Sequence, residues 1–238
     1  MPGDTHQDLH AEMVGQVYSA LIRGGISIQN AGSVFGLRHQ YGNINMRPDI
    51  TIRGPVSMAV IEIEVTHRST RAWGRHAENV FQDPHVTLVA VLNIHARRVD
   101  GSFAARLVAW VIPPGAPIEV YYLHDFGTGG MIQQVANIWR KDMSNDGDPN
   151  TAVPPNAGFI TPPNRDLRAP REDAVLHATD FLRTSNGNNN TLQEEVERAV
   201  GRDPNFFRID LSRILVAVHI TLPLNDRGVD HDEEVDPN

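Results

Sequence analysis

The chain has 238 residues, 40% of them hydrophobic, and a formal net charge of −8 with no cysteine, which is enough for a full core in one domain or one domain plus an appendage. Without cysteine, disulfides, thiolate catalysis and zinc–thiolate sites are excluded. No apolar run of about 18 residues marks a membrane span, and no basic start followed by an apolar core marks a secretory signal, so an intracellular setting, cytoplasmic or nuclear, is expected.

From His6 to Arg23, the apolar residues Leu9, Met13, Val17 and Leu21 recur every four positions, which predicts an amphipathic helix with Glu12 on the flank of its stripe. His6 and His10 stand one helical turn apart and could share a metal, although no third ligand is spaced as in a zincin motif. Extended segments follow, ending in Asp49-Ile50-Thr51-Ile52-Arg53, whose alternation makes Ile50 and Ile52 a core pair and leaves Asp49 on the polar face. Gly54-Pro55 marks a turn. The strand predicted over Met58–Thr66 sends Ile61, Ile63 and Val65 to one side and Glu62 and Glu64 to the other. If the two strands pair as a hairpin, Asp49, Glu62 and Glu64 converge, and their repulsion must be relieved by protonation or by a cation. A hard oxygen-binding ion, Mg2+ or Mn2+, suits such a set. Acids on the wet face of a half-buried strand are the bland alternative.

A helix over Arg71–Phe81 and an apolar strand over Val86–Ile94 come next. Two more strands, Arg106–Ile112 and Ile118–Leu123, flank a proline-rich turn that cannot be helical. A short helix is predicted over Met131–Lys141. His67, Ser69 and Asp83 lack a nucleophile elbow, and Gly127-Thr128-Gly129-Gly130 lacks the lysine of a phosphate loop and reads as a turn. Residues 1–143 are thus read as a core and 144–171, dense in Pro, Asn, Asp and Gly, as a loop or linker. Residues 172–224 form a helix/strand extension with helices over Glu172–Arg183 and Leu192–Val200 and a strand over Arg213–Leu222. Thr191 and Glu194 make a capping box for the second helix. Residues 225–238 are an acidic tail, expected to be disordered.

Pro48-Asp49, Glu62-Ile63-Glu64 and Glu64-Val65-Thr66-His67-Arg68-Ser69-Thr70 together resemble the PD-(D/E)xK nuclease superfamily. Within it they resemble the restriction-endonuclease-like domains, whose second motif reads roughly Glu-Val-x-Ser-x-Ser-Thr. The resemblance runs from residue 5 to about 124, in the family's order of helix, short strands, Pro-Asp, acidic strand, helix and hydrophobic strand. It implies an α/β restriction-endonuclease-like fold, a mixed sheet flanked by helices, and Mg2+- or Mn2+-dependent phosphodiester hydrolysis of nucleic acid.

In the standard register Asp49 and Glu62 are the ligands, and Glu64 occupies the place of the lysine that positions water and stabilises phosphate charge. In the register of the restriction-endonuclease-like branch, Glu64 is the ligand and the lysine has moved to the following helix, where this chain offers Arg71, Arg75, His76 and Glu78. The Ser69-Thr70 match favours the second register. The resemblance then implies Asp49 and Glu64 as core ligands, Glu62 or Glu12 completing the shell, and Arg75 or Arg71 stabilising charge. The one lysine, Lys141, lies far from these motifs.

Phosphate neutralisation by Lys and Arg supplies most nonspecific affinity for nucleic acid, and the charge of −8 opposes it. Six of the acids, however, fall between Asp226 and Asp236, whereas Arg38, Arg47, Arg53, Arg68, Arg71 and Arg75 gather around the motifs and could hold a phosphate backbone. The alternative is a catalytically inactive nuclease-like fold serving as a binding or assembly module. Self-association as a homo-oligomer is left open by the sequence.

Overall fold

In the computed structural model the first helix, α1 (Gly3–Gly24), buries the predicted stripe completely: Leu9, Met13, Val17 and Leu21 are 0% exposed. Spacing of four residues keeps these side chains on one helical face, and each fully buried Leu contributes about 1.5–3 kcal/mol of transfer free energy. The structure describes residues 3–31, 33–35, 39–41, 44–46, 48–54, 57–65, 70–95, 97–112, 118–128, 157–159, 173–182 and 190–221. The predicted helix at 131–141 and the acidic tail lie outside them.

After α1 come α2 (Ile28–Ala31), β1 (Ser33–Phe35), β2 (His39–Tyr41), β3 (Ile44–Met46), β4 (Ile50–Arg53), β5 (Met58–Val65), α3 (Thr70–Val80), β6 (Val86–Ile94), β7 (Ala104–Val111), β8 (Glu119–Gly127) and β9 (Ala157–Phe159). Seven of the strands form one sheet in the order β1-β4-β5-β6-β7-β8-β9. β5 and β6 pair parallel through the α3 crossover, β8 and β9 pair parallel, and the other neighbours are antiparallel. The molecule is mixed α/β, a mixed sheet flanked by helices.

Alternation divides the strands between two apolar clusters. Ala59, Ile61, Ile63 and Val65 of β5 face α1 together with Leu88, Ala90, Leu92 and Ile94 of β6. Val60, Val89, Val91, Val108, Trp110 and Leu123 lie on the opposite face under Trp73, Ala77 and Val80 of α3.

The C-terminal elements are β10 (Asp173–Val175), α4 (Ala178–Phe181), α5 (Asn190–Arg202), β11 (Arg208–Asp210) and α6 (Leu211–Thr221). β10 and β11 pair antiparallel. Three expectations are corrected here. The helix predicted over Glu172–Arg183 is the strand β10 followed by the single turn α4. Thr191 lies inside the first turn of α5, which begins at Asn190. The strand predicted over Arg213–Leu222 is the helix α6: Leu211, Ile214, Leu215 and Val218 are buried at helical spacing, whereas Val216 is 46% exposed. Its run of β-branched residues suggested a strand, but the position of its few polar residues fits a period of 3.6.

The segment read as an extension is continuous with the rest. Ala174, Leu192, Val196, Ala199, Phe207, Ile209 and Ile214 belong to the same apolar cluster as Leu9, Met13 and Ile61. Gln16 of α1 donates to the Asp210 carbonyl at 3.0 Å and accepts from the Asp210 N–H. Ala157–Phe159, within the span read as linker, supplies the edge strand β9. Among the described residues no helix is long and apolar enough to cross a membrane.

Candidate carboxylate site

The antiparallel register Ile50↔Ile61 brings Asp49, just ahead of β4, beside Glu62 and Ile63 of β5. The Ile63 N–H donates to Asp49 Oδ2 at 2.8 Å, and the Asp49 N–H donates to Glu62 Oε2 at 3.4 Å. Asp49 and Glu62 are therefore neighbours, thirteen residues apart in sequence. Glu64 lies two residues farther along β5 on the same face and is half-buried. The register preferred from sequence paired Asp49 with Glu64; the hydrogen bonds between Asp49 and β5 run to Glu62 and Ile63.

Two helices bring imidazoles to this pair. From α1, His6 Nε2 stands 3.3 Å from Asp49 Oδ1, and His10 Nε2 donates to the Asp49 carbonyl oxygen at 3.0 Å. From α3, His76 Nε2 stands 3.4 Å from Glu62 Oε1, without the alignment of a hydrogen bond. The edge of the His76 ring meets Trp73, with centroids 5.1 Å apart. Both members of the His76–Glu62 pair are mostly buried, at 14% and 10% side-chain exposure. Burial pushes the Glu62 carboxyl above its ordinary value, and the Asp49 charge adds to that, while His76 and the Asp49 N–H pull it back.

The other candidates are placed as follows. Glu12 is held by Arg213 of α6, Nε to Oε1 at 2.8 Å, and accepts from Gln16 at 2.8 Å. Arg53 lies at the opposite end of the β4–β5 hairpin, paired with Met58, about 13 Å from the acid pair at the usual rise per residue. Arg75 and Glu78 are exposed on α3, and it is His76 that turns inward to Glu62. Arg71 lies in the first turn of α3. Arg38, Arg47, Arg68, His67 and Ser69 lie outside the described residues. Asp83 Oδ1 accepts from the His85 N–H at 2.9 Å, closing the turn before β6. Thr128 Oγ1, just past β8, accepts from the Phe103 N–H at 3.1 Å, and Gly129 and Gly130 of the expected turn lie outside the described residues.

Sequence reasoning passed over two polar residues. Asn93 in β6 and Arg106 in β7 are 2% and 1% exposed. The signal was present as a single polar residue interrupting each of two apolar runs, Val91-Leu92-Asn93-Ile94 and Ala105-Arg106-Leu107-Val108.

Mg2+ is commonly held by one or two carboxylates together with substrate phosphates, so Asp49 and Glu62 have the donor chemistry for it. Among the described residues no group of three or more His, Asp or Glu side chains is gathered tightly enough to hold a metal unaided. No family model, no curated protein and no solved structure matches the chain.

Proposed function

We propose that the chain is a divalent-cation-dependent phosphodiesterase acting on nucleic acid, of the PD-(D/E)xK type. One observation carries the reading: Asp49 and Glu62, each part of a motif, stand side by side at one end of a buried strand, where burial and mutual repulsion raise the Glu62 carboxyl. An arrangement that is costly for two bare carboxylates is favourable for two carboxylates with a cation. The order of helix, antiparallel strands, crossover helix and parallel strand is also the order the resemblance implies.

Asp49 and Glu62 would hold the ion, with Glu64 beside them on the same face. Bound there, the ion would supply Lewis-acid polarisation of a phosphate oxygen. The chain orients Asp49 through the Ile63 N–H and holds the imidazole of His76 against Glu62. The test is Mn2+ calorimetry together with divalent-dependent cleavage of single- and double-stranded DNA and RNA. Asp49→Asn and Glu62→Gln are each expected to lower Mn2+ affinity at least about 100-fold, beyond the roughly 10–100-fold of changes outside the ligand shell. Unchanged Mn2+ heat in both variants would sink the assignment.

A second reading, the catalytically inactive binding or assembly module, draws on the imidazoles of His6 and His76 already standing against the carboxylates. It requires that the wild type give no Mn2+ heat and no cleavage.

A further inference from the structure

Away from the carboxylate pair, the C-terminal half of α1 borders a cavity of about 360 Å3 that it shares with α5, β10, β11 and α6. On α1 the lining begins at Gln16 and ends at Arg23, so at the helical rise it lies about 10–20 Å along the helix from His10. That volume suits a small molecule, since ligand sites span roughly 300–1,000 Å3. The lining is rich in charge. Two of its four arginines are neutralised: Arg208 Nη2 meets both oxygens of Asp203, at 2.8 and 3.1 Å, and Arg213 is paired with Glu12. Arg23 and Arg202 are held instead by carbonyl oxygens. Arg202 Nη2 donates to the Gly24 carbonyl at 2.8 Å and its Nε to the Arg198 carbonyl at 3.3 Å, while Arg23 Nη2 donates to the Arg208 carbonyl at 3.4 Å.

Among the described residues neither of these two guanidiniums meets a carboxylate, so both keep their charge, and most of their N–H donors remain available. The carbonyl contacts fix where those charges stand. Gly25 ends α1 at φ +67°, and a Cβ there would lie 3.0 Å from Arg202 Nη2, so the guanidinium rests against that turn. Gln16 bonds Asp210 and Arg23 bonds Arg208, which runs α1 antiparallel to β11 and gives the cavity two ends about 7–10 Å apart. The uncompensated guanidiniums stand at the Arg23 end. Asp210 and its register partner Asp173 stand at the Gln16 end; Asp210 Oδ1 accepts from the Arg213 N–H at 3.2 Å, and Asp173 is exposed.

We propose that this cavity binds a small phosphate monoester that carries hydroxyl groups, a sugar phosphate or a nucleoside monophosphate. Such an ester brings a charge of about −1.5 to −2 and three acceptor oxygens, which match two uncompensated guanidiniums. A carboxylate has only two oxygens, and one guanidinium fork satisfies both. Asp173 and Asp210 repel the phosphate from the Gln16 end and accept from hydroxyls there, an ionised carboxylate being an acceptor only. Charge thus sets the ligand's direction in the cavity. The site uses neither Asp49 nor Glu62, and it stands or falls independently of the nuclease reading.

The test is calorimetry with ribose 5-phosphate, adenosine monophosphate and inorganic phosphate, in EDTA so that no divalent ion carries the phosphate. It compares wild type with Arg23→Gln, Arg202→Gln, Asp173→Ala and Asp49→Asn. Wild type is expected to bind both esters, and more tightly than inorganic phosphate; the tighter of the two tells a nucleotide from a free sugar phosphate. Arg23→Gln and Arg202→Gln are each expected to weaken all three probes at least about tenfold, the loss of a charge-assisted contact. Asp173→Ala is expected to weaken the esters and to tighten inorganic phosphate, because it removes a hydroxyl acceptor and a like charge together. Asp49→Asn should change none of these affinities. If the two arginines serve only to cap their helices, Arg23→Gln lowers Tm and leaves the heats unchanged, which overturns the inference. No ester heat from wild type at millimolar concentration also overturns it, as does an Asp173→Ala that moves all three probes alike or an Asp49→Asn that abolishes ester binding. Arg202 ties α5 to α1, so if Arg202→Gln fails to fold, Arg23→Gln decides the matter.

Discussion

Glu62 carries its charge in an unfavourable place, and its titration has a sign that stability measurements can read. Its carboxyl is raised above the ordinary value of 4.5, first by burial, with Asp49 adding to the shift. In the window between the two values the folded state holds more protons than the unfolded state, so stability falls as pH rises. The contribution is fully present below about 4.5 and is lost as pH climbs through the raised folded value. Glu62→Gln, which cannot ionise, should therefore be more stable than wild type near neutral pH, with the Tm difference closing as the pH approaches 4.5. A difference that instead grows on acidification would contradict the burial account. At this scale the alternation of β5 was legible, because a period of two needs no tertiary information. Which acid lies opposite Asp49 was not, because it depends on the pairing Ile50↔Ile61, a register that hydrophobic pattern alone specifies only to within two residues. His76 was within reach: it falls on the stripe of Trp73, Ala77 and Val80 that α3 turns to the sheet.

The element least legible from sequence was α6. A strand would place Val216 and Val218 on one face, whereas the helix buries Val218 at 0% and leaves Val216 46% exposed. Val216→Glu should shift stability by no more than about 0.5 kcal/mol, as other surface changes do, while Val218→Glu buries an unpaired carboxylate and should cost more than about 3 kcal/mol by denaturant titration. Equal effects would restore the strand. α1 offers a second test at its C-terminal end. A Cβ on Gly24 would press into the Phe206 ring, with Phe206 Cε2 at 2.6 Å, and the Gly24 carbonyl accepts from Arg202 Nη2 at 2.8 Å. Gly24→Ala should therefore destabilise by about 1–3 kcal/mol, the range for overpacking, although alanine ordinarily favours a helix. Sequence gave α1 its stripe but could not show that its last turn is pressed against an aromatic ring nearly two hundred residues away.

At the scale of the molecule, the strand order follows the chain closely from β4 to β8, which is why the first half could be read in order. The division at residues 143 and 171 came from composition, and composition does not reveal packing. β9 joins the sheet from inside the proline-rich span, and the elements after residue 171 share one apolar cluster with α1. A chain ending at residue 171 should accordingly expose the C-terminal side of that cluster. It should bind a hydrophobic dye and lose cooperative thermal unfolding. Retained two-state unfolding would show that the first 171 residues are a separate domain.

The helix that brings His6 and His10 to Asp49 is also tied to partners far downstream: Glu12 pairs with Arg213, 201 positions away, and Gln16 with Asp210, 194 positions away. On a ribosome adding about 5–20 residues per second, those partners emerge roughly 10–40 s after α1 does. During that interval α1 has an apolar stripe and only part of its eventual surroundings, so its final docking, and with it the placing of His6 and His10 at Asp49, is a late event in the life of the nascent chain. The helix that carries His6 and His10 is thus held in part by the last third of the protein, none of whose described residues contacts Asp49 or Glu62 in the bonds given above. Ribosome-bound chains stalled before β11 should carry the Asp49–Glu62 pair of the β4–β5 hairpin without the settled His6 and His10 contacts of α1.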